Sequence, residues 1–270
     1  MPYTLVTFHA HPDDEAITTA GTMMRAKAEG HRVVLVIATR GELGEHPSEA
    51  LESGEDLAQR RVTETLAAAE ILGIDRVEFL DYHDSGMAGE PSNADPRAFA
   101  AADVDTAAER LAALLRAERA DVLTVYDDNG GYGHPDHIQV HRVGVRAAEL
   151  AGTPSVFETT INREHFLRLM RENPDAMPGD DRPDEAELES LGVPESVITT
   201  FVDVRDFADR KRAAMAAHAS QIPADSFFLQ MPEHVFRESF GWEWFIRRGA
   251  PPGTREASLF DALAASRASS

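Results

Sequence analysis

The chain has 270 residues, 43% hydrophobic and 27% charged, with 26 Lys and Arg against 47 Asp and Glu for a formal net charge of −21. That length suits one α/β domain, and such acidity argues against nucleic acid or an anionic membrane as a partner, because binding phosphate needs a basic face. There is no cysteine, which excludes disulfides, thiolate nucleophiles and Cys-ligated metals and leaves His, Asp and Glu to hold any ion.

Residues 4–8 read as a first strand and 16–29 as a helix ended by Gly30, with Gly21 marking close packing on the sheet. The unbroken apolar run 32–38 has the look of a parallel strand buried on both faces. A Gly- and Glu-rich loop, 39–54, leads to a helix over 55–72 with apolar spacing at Leu57, Val62, Leu66 and Ala69. A short strand at 76–80 precedes a polar loop, 81–103, of a length usually tied to function. Helix 104–118, strand 121–126, a glycine-rich loop 127–136 and helix 137–151 follow. The repeated strand–helix alternation predicts an α/β fold, a Rossmann-like three-layer sandwich with a mostly parallel sheet.

Beyond this core, residues 155–160 read as a fifth strand and 163–171 as a helix. The acidic, Pro-rich segment 173–196 reads as an exposed insertion with a short helix near 184–191. Strand 198–202 and helix 204–220 come next, then an aromatic region, 227–246, expected to pack against the sheet, and a tail, 250–270, whose end frays. The chain is thus expected to be one domain, 1–270, with a core (1–160) carrying the site and an irregular C-terminal part (161–270) shaping the pocket. It contains no run of about 20 apolar residues, as a membrane span requires, and no basic-then-apolar leader. The expected location is the cytoplasm; a homo-oligomer is compatible with the sequence but not specified by it.

The chemistry concentrates in two loops that follow predicted strands. In His9-Ala10-His11-Pro12-Asp13-Asp14-Glu15, His11 and Asp14 are placed to face one side as metal ligands, with Asp13 between them as a general base. Glu15 falls in a first helical turn, where the helix dipole favours an acid, and His9 reads as strand-end packing. In Tyr132-Gly133-His134-Pro135-Asp136-His137, His137 supplies a third ligand, His134 an acid or electrostatic stabiliser, and Asp136 a carboxylate to tune that imidazole. In a parallel sheet both loops emerge at the same carboxyl edge. His137 and His141 also have chelating spacing on one helix, but His141 lies a turn further from the edge and reads as packing. The first strand–helix turn lacks G-x-G-x-x-G, which argues against a dinucleotide-binding enzyme. A non-catalytic binding protein would have no use for Asp13 and His134 together.

These paired motifs resemble the PIG-L/LmbE-like zinc-dependent de-N-acetylases. Gly41-Glu42-Leu43-Gly44-Glu45, Asp84-Ser85-Gly86-Met87, Asn129-Gly130-Gly131-Tyr132-Gly133 and His218-Ala219-Ser220-Gln221 extend the likeness, nearest the mycothiol-pathway branch. That branch holds a GlcNAc-inositol deacetylase and a mycothiol S-conjugate amidase. The resemblance implies one zinc per chain held by His11, Asp14 and His137, with other divalent ions compatible. It implies Asp13 as base, His134 as acid or oxyanion support modulated by Asp136, and Tyr132 polarising the amide carbonyl. It further implies Arg61, Asp84 and Glu45 as contacts to a small amino-sugar substrate, whose deacetylation releases acetate and a free amine. The 173–196 and 227–246 regions do not map clearly onto that branch.

Overall fold

The apolar run 32–38 becomes β2 (Arg32–Ile37), which pairs in parallel with β1 (Thr4–His9) through partners such as Leu5 and Val33. On its other side β1 pairs with β4 (Val122–Tyr126), again in parallel. The computed structural model that shows this describes residues 2–47, 50–173 and 191–268. β3 (Arg76–Phe79) extends the sheet beyond β2, and β5 (Ser155–Thr160) extends it beyond β4. The full order is β3-β2-β1-β4-β5-β7-β6, where β6 is Thr200–Asp203 and β7 is Trp242–Arg247. The chain winds outward from β1 to β3, then returns to the far side of β1 for β4. That reversal opens a crevice at the carboxyl ends of β1 and β4.

Alternate strand residues serve opposite layers, as a pleated strand requires. Leu5, Val33, Val122 and Phe157 face α1 (Asp14–Thr18), α2 (Ala20–Ala28), α3 (Leu57–Leu72) and α8 (Ala208–Ala217). Val6, Phe8, Val34, Leu123 and Val125 face α4 (Val104–Glu118) and α6 (Pro135–Ala151). The three-layer α/β expectation therefore holds, and no described helix is long and apolar enough to cross a membrane.

Four departures have physical causes. The helix expected over 16–29 is two helices, broken at Thr19 (φ −132°), whose hydroxyl is bound by His9 Nε2 at 2.9 Å. A Cβ on Gly21 would lie 2.4 Å from the Val204 side chain, so the glycine does mark close packing, but against the residue after β6. α3 buries only part of the face its apolar spacing suggested: Ala69 is buried, Leu57 and Val62 are half-buried and Leu66 is exposed, while Arg61, Glu64 and Thr65 are buried beside Ala68 and Leu72. Those polar groups have work at the crevice and beneath it, described below. The aromatic region 227–246 contains β7, which enters the sheet antiparallel to both β5 and β6. The C-terminal stretch is pinned rather than loose up to Phe260, which stacks on Tyr3 at 5.4 Å. Burying a Phe side chain contributes about 1.5–3 kcal/mol. The short helix expected near 184–191 lies, but for Leu191, outside the described residues.

Candidate active site and metal centre

β1 delivers the first loop. Its last residue, His9, is buried and held at both ring nitrogens, by the Tyr126 hydroxyl at 3.0 Å and the Thr19 hydroxyl at 2.9 Å. His9 is packing, as expected. The loop then turns through Asp13 at φ 96°, ψ −30°, a conformation rare for any side chain but glycine. Strain of that kind costs about 1–3 kcal/mol and collects at functional sites. The turn brings the Asp14 carboxylate back onto its own loop, where Oδ2 accepts the His11 backbone N–H at 2.8 Å.

β4 delivers the second loop. Buried Asp127 accepts from the Gly131 N–H at 2.8 Å and the Thr160 hydroxyl at 2.6 Å, which fixes the glycine-rich turn α5 (Gly130–Gly133). His134 then caps α6, its Nδ1 accepting the Asp136 N–H at 3.1 Å. The helix begins at Pro135, two residues before expectation, because proline needs no partner in the first turn. His137 is stacked on Tyr126 at 4.2 Å and 7°, and its Nδ1–H donates to Gly130 O at 3.2 Å.

Gly130 is required twice over. Its φ is +64°, and a Cβ there would stand 2.7 Å from the His137 Cβ. Gly130→Ala is expected to displace His137 and weaken metal binding about 10–100-fold, the range for disturbing the support of a ligand. A chelator-competition titration measures it; parent-like affinity would count against His137 as a ligand.

With Nδ1 occupied, the His137 Nε2 carries a lone pair, and it is buried without a hydrogen-bond partner. It stands 3.4 Å from Asp14 Oδ2, and the same oxygen lies 3.6 Å from His11 Nδ1. These separations resemble the roughly 3.3 Å edge between donors about 2.0–2.1 Å from a tetrahedral zinc. The His11, His134 and His137 rings also converge, with nitrogens within 4.8 Å of one another, and His11, Asp84 and Asp136 form a second such group. The residues therefore suit a hard-to-borderline divalent cation, with an orphaned nitrogen aimed where it would bind.

One expected partnership is different. The Asp136 carboxylate makes no hydrogen bond to the His134 ring, which it acts on only through its charge, raising the imidazole, while the ring accepts the Asp136 backbone N–H. The carboxylate instead takes His11 Nε2 at 3.1 Å and the Ser85 N–H at 2.9 Å, along with the Ser85 hydroxyl. The helical direction of α6 turns that side chain toward β1, so Asp136 leaves His11 Nδ1 free to face Asp14.

The electrostatics follow from burial and crowding. Burial raises the Asp13 carboxyl to about 7, helped by the Asp14 charge and opposed by His218. Burial would raise Asp14 as well, but His137 and His11 outweigh it and hold Asp14 well below the usual range. For His11, burial is outweighed by Asp136, Asp14 and Asp84, which raise it well above the ordinary value. His134 is lowered to about 4 by burial and by the His11 and His137 charges. A neutral His134 with Nδ1 already accepting keeps its proton on Nε2.

A cavity of about 780 Å³ opens above these groups. Arg61, Asp84 and Glu45 all border it, on the side of β2 and β3. Arg61 is not on a helix surface: it is buried, its guanidinium donating to Gly41 O and, at 3.2 Å, to Glu45 O. Asp84 is buried too, 3.6 Å from His11 Nε2, and accepts the Gly86 N–H at 2.8 Å. Burial would raise the Asp84 carboxyl, and His11 overrides this to hold it far below its usual value. Glu45 is exposed at the rim. Tyr132 is 52% exposed, its ring edge-on to His134 and His137. The opposite wall is aromatic, built from Phe166, Phe227, Phe228, Phe240, Trp242 and Trp244. The 227–246 region is therefore pocket wall as well as core, where Phe236 and Phe245 are buried.

Sequence reasoning quoted Ser85 and His218 within motifs but gave no role to them or to Tyr126, and did not pair Glu15 with His218. Glu15, read as a helix-dipole residue, is fully buried with Oε1 2.7 Å from His218 Nε2. His141 is packing, its Nδ1 donating to Tyr126 O at 3.0 Å.

Residues 6–148 match the PIG-L family, described as GlcNAc-PI de-N-acetylase. The 1D-myo-inositol 2-acetamido-2-deoxy-alpha-D-glucopyranoside deacetylase of Acidothermus cellulolyticus is 40% identical, over 96% of this chain and 95% of its own. The enzyme of the same name from Thermobifida fusca is 39% identical, over 95% of this chain and 98% of its own. Among solved structures, N,N'-diacetylchitobiose deacetylase from Pyrococcus horikoshii superposes with a TM-score of 0.57 at 22% identity, covering 93% of this chain and 84% of that one. At that identity the likeness speaks for the fold alone.

Proposed function

Because the chain belongs to the PIG-L family of GlcNAc-PI de-N-acetylases, we propose that it is a zinc-dependent hydrolase that removes the acetyl group from a GlcNAc-type conjugate resembling GlcNAc-inositol. The observation that carries this is the buried, unpartnered His137 Nε2, converging with His11 and Asp14 beside the strained Asp13.

His11, Asp14 and His137 would hold the ion. When bound, zinc supplies Lewis acidity, lowering the pKa of water toward about 7 and polarising an amide carbonyl. Asp13 takes the proton of the attacking water as the O–C bond forms; a carboxyl near 7 can both accept that proton and give it up again. His134, neutral and protonated on Nε2, donates to the developing oxyanion, with the Tyr132 hydroxyl as a second donor from the rim. The C–N bond then breaks, the amine leaves with the proton carried by Asp13, and the acetic acid left behind gives its own proton to solvent or to the amine to become acetate. This assigns His134 to the oxyanion in preference to acid catalysis. Arg61 supports the loop that carries Glu45, while Asp84 and Glu45 offer acceptors for sugar hydroxyls.

The aromatic wall favours a second reading of the same chemistry, an amidase on a conjugate bearing an apolar group, as in mycothiol S-conjugates. Both are tested together. The chain is purified, its metal is quantified by mass spectrometry, and amine release is followed from GlcNAc-inositol and from an S-conjugate. The expected result is one zinc per chain and turnover that chelator abolishes and zinc restores. Full turnover by chelator-treated, metal-free protein would sink both readings.

A further inference from the structure

We propose that Glu15 and His218 are positioning residues that lock Asp13 into its left-handed backbone conformation; this rests on the reading of Asp13 as the general base. Asp13 pays for φ 96° with strain, so something must hold it there. Its carbonyl accepts from the Ala16 and Ile17 N–H groups at 2.9 and 3.1 Å, which only starts α1. Its own N–H donates to Glu15 Oε2 at 3.0 Å. That bond fixes the peptide preceding Asp13, and with it the φ rotation.

Glu15 cannot hold this bond unaided. Both Glu15 and His218 are fully buried, and a buried carboxylate persists only when paired and hydrogen-bonded. The partner is His218 Nε2, at 2.7 Å on the other oxygen. A helix-dipole role is too small an account, since α1 is only 5 residues long and the carboxylate is turned inward.

His218 is itself anchored. It caps the end of α8, and its carbonyl accepts from Gln221 and Ile222 at 2.9 and 2.7 Å. Two residues on, Ser220 grips buried Glu64 of α3 through its N–H at 2.9 Å and its hydroxyl at 2.6 Å. One turn from the C-terminal half therefore engages two buried carboxylates of the N-terminal half. Neither Glu15 nor His218 borders the cavity, so neither touches substrate and both act through Asp13.

The test separates reach from charge. Glu15→Gln keeps an acceptor for the Asp13 N–H, whereas Glu15→Leu removes it. His218→Gln reaches Glu15 with an N–H, whereas the chemically identical but shorter His218→Asn falls short. Each variant is assayed for kcat and KM on N-acetylglucosamine, for metal per chain by mass spectrometry, and for melting temperature. Glu15→Leu and His218→Asn are expected to lose on the order of 10²-fold in kcat, the effect of displacing a catalytic group by about 1 Å. KM and metal content should match the parent, and the two Gln variants should recover most of the loss.

Equal kcat in His218→Asn and His218→Gln overturns the proposal, and this comparison decides the matter should Glu15→Leu fail to fold. Metal lost in step with kcat overturns it as well, because the pair would then be supporting Asp14. Asp13→Ala assayed alongside distinguishes the two layers of inference. Full turnover there overturns the base assignment and this proposal together, whereas loss there with none in Glu15→Leu overturns this proposal alone.

Discussion

Asp13→Ala is expected to lower kcat by about 10²–10⁴-fold, the usual contribution of a positioned general base, while retaining its metal. The proposed ligand atoms of His11, Asp14 and His137 belong to other side chains than Asp13, so metal content separates a lost base from a lost site. The pH profile supplies a second check. Burial, then the neighbouring Asp14, raise the Asp13 carboxyl to about 7. A base works deprotonated, so the rate falls as pH drops through this value. A cation on the adjacent ligands favours the carboxylate and moves that limb lower. The limb should vanish from the residual rate of Asp13→Ala.

The same shift has a consequence for stability with its own sign. A carboxyl raised from 3.8 to about 7 binds more protons folded than unfolded across that window. Its contribution to the stability of metal-free protein is therefore present at the acid end and lost as pH rises toward 7. Thermal melts of stripped parent and Asp13→Ala should diverge across that range, with the parent losing more.

Asp136→Ala is expected to cost about 10–100-fold in metal affinity, because it removes the carboxylate that orients His11, a proposed ligand. In the fold, that carboxylate secures His11 Nε2 together with the Ser85 N–H and hydroxyl, with Asp136 and Ser85 fully buried. Each buried partner left without a bond adds a destabilisation of about 1–3 kcal/mol. Chelator titration and thermal melts measure the two effects separately. Parent-like metal affinity with a defect confined to kcat would instead couple Asp136 to His134, the partnership suggested by sequence spacing alone.

That contrast shows where sequence is informative. The strands next to the crevice announce themselves, because a parallel strand buried on both faces reads as an unbroken apolar run, as in Val33–Val36. Both loops could be placed at one sheet edge once strands and helices alternated. Which carboxylate meets which histidine could not be read, since it depends on the exit angle of α6 and the return of the loop through Ser85. β7 was hidden because Trp-Glu-Trp-Phe-Ile-Arg serves two surfaces at once: Phe245 enters the core while Trp242 and Trp244 face the cavity. α3 misled for a related reason. Its buried face mixes polar groups with Ala68, Ala69 and Leu72, since Arg61 underpins the rim and Glu64 receives Ser220. The partnership of Glu15 with His218 spans 203 positions, and no local pattern carries it.

The antiparallel entry of β7 bears on which strand is left at the edge of the sheet. Without β7, the long strand Ser155–Thr160 would end the sheet, its backbone groups open to pairing with another molecule. β7 covers that edge and hands the outermost position to β6, four residues long and partly occupied by a bridge from Glu256 to Thr200. A chain truncated before residue 242 would keep His11, Asp13, Asp14, His134 and His137 but lose Trp242 and Trp244 from the cavity wall and leave the edge of β5 unpaired. Two residues of the pocket's aromatic wall, Trp242 and Trp244, thus come from the same strand that covers the β5 edge, which ties the shape of the pocket to the closure of the sheet.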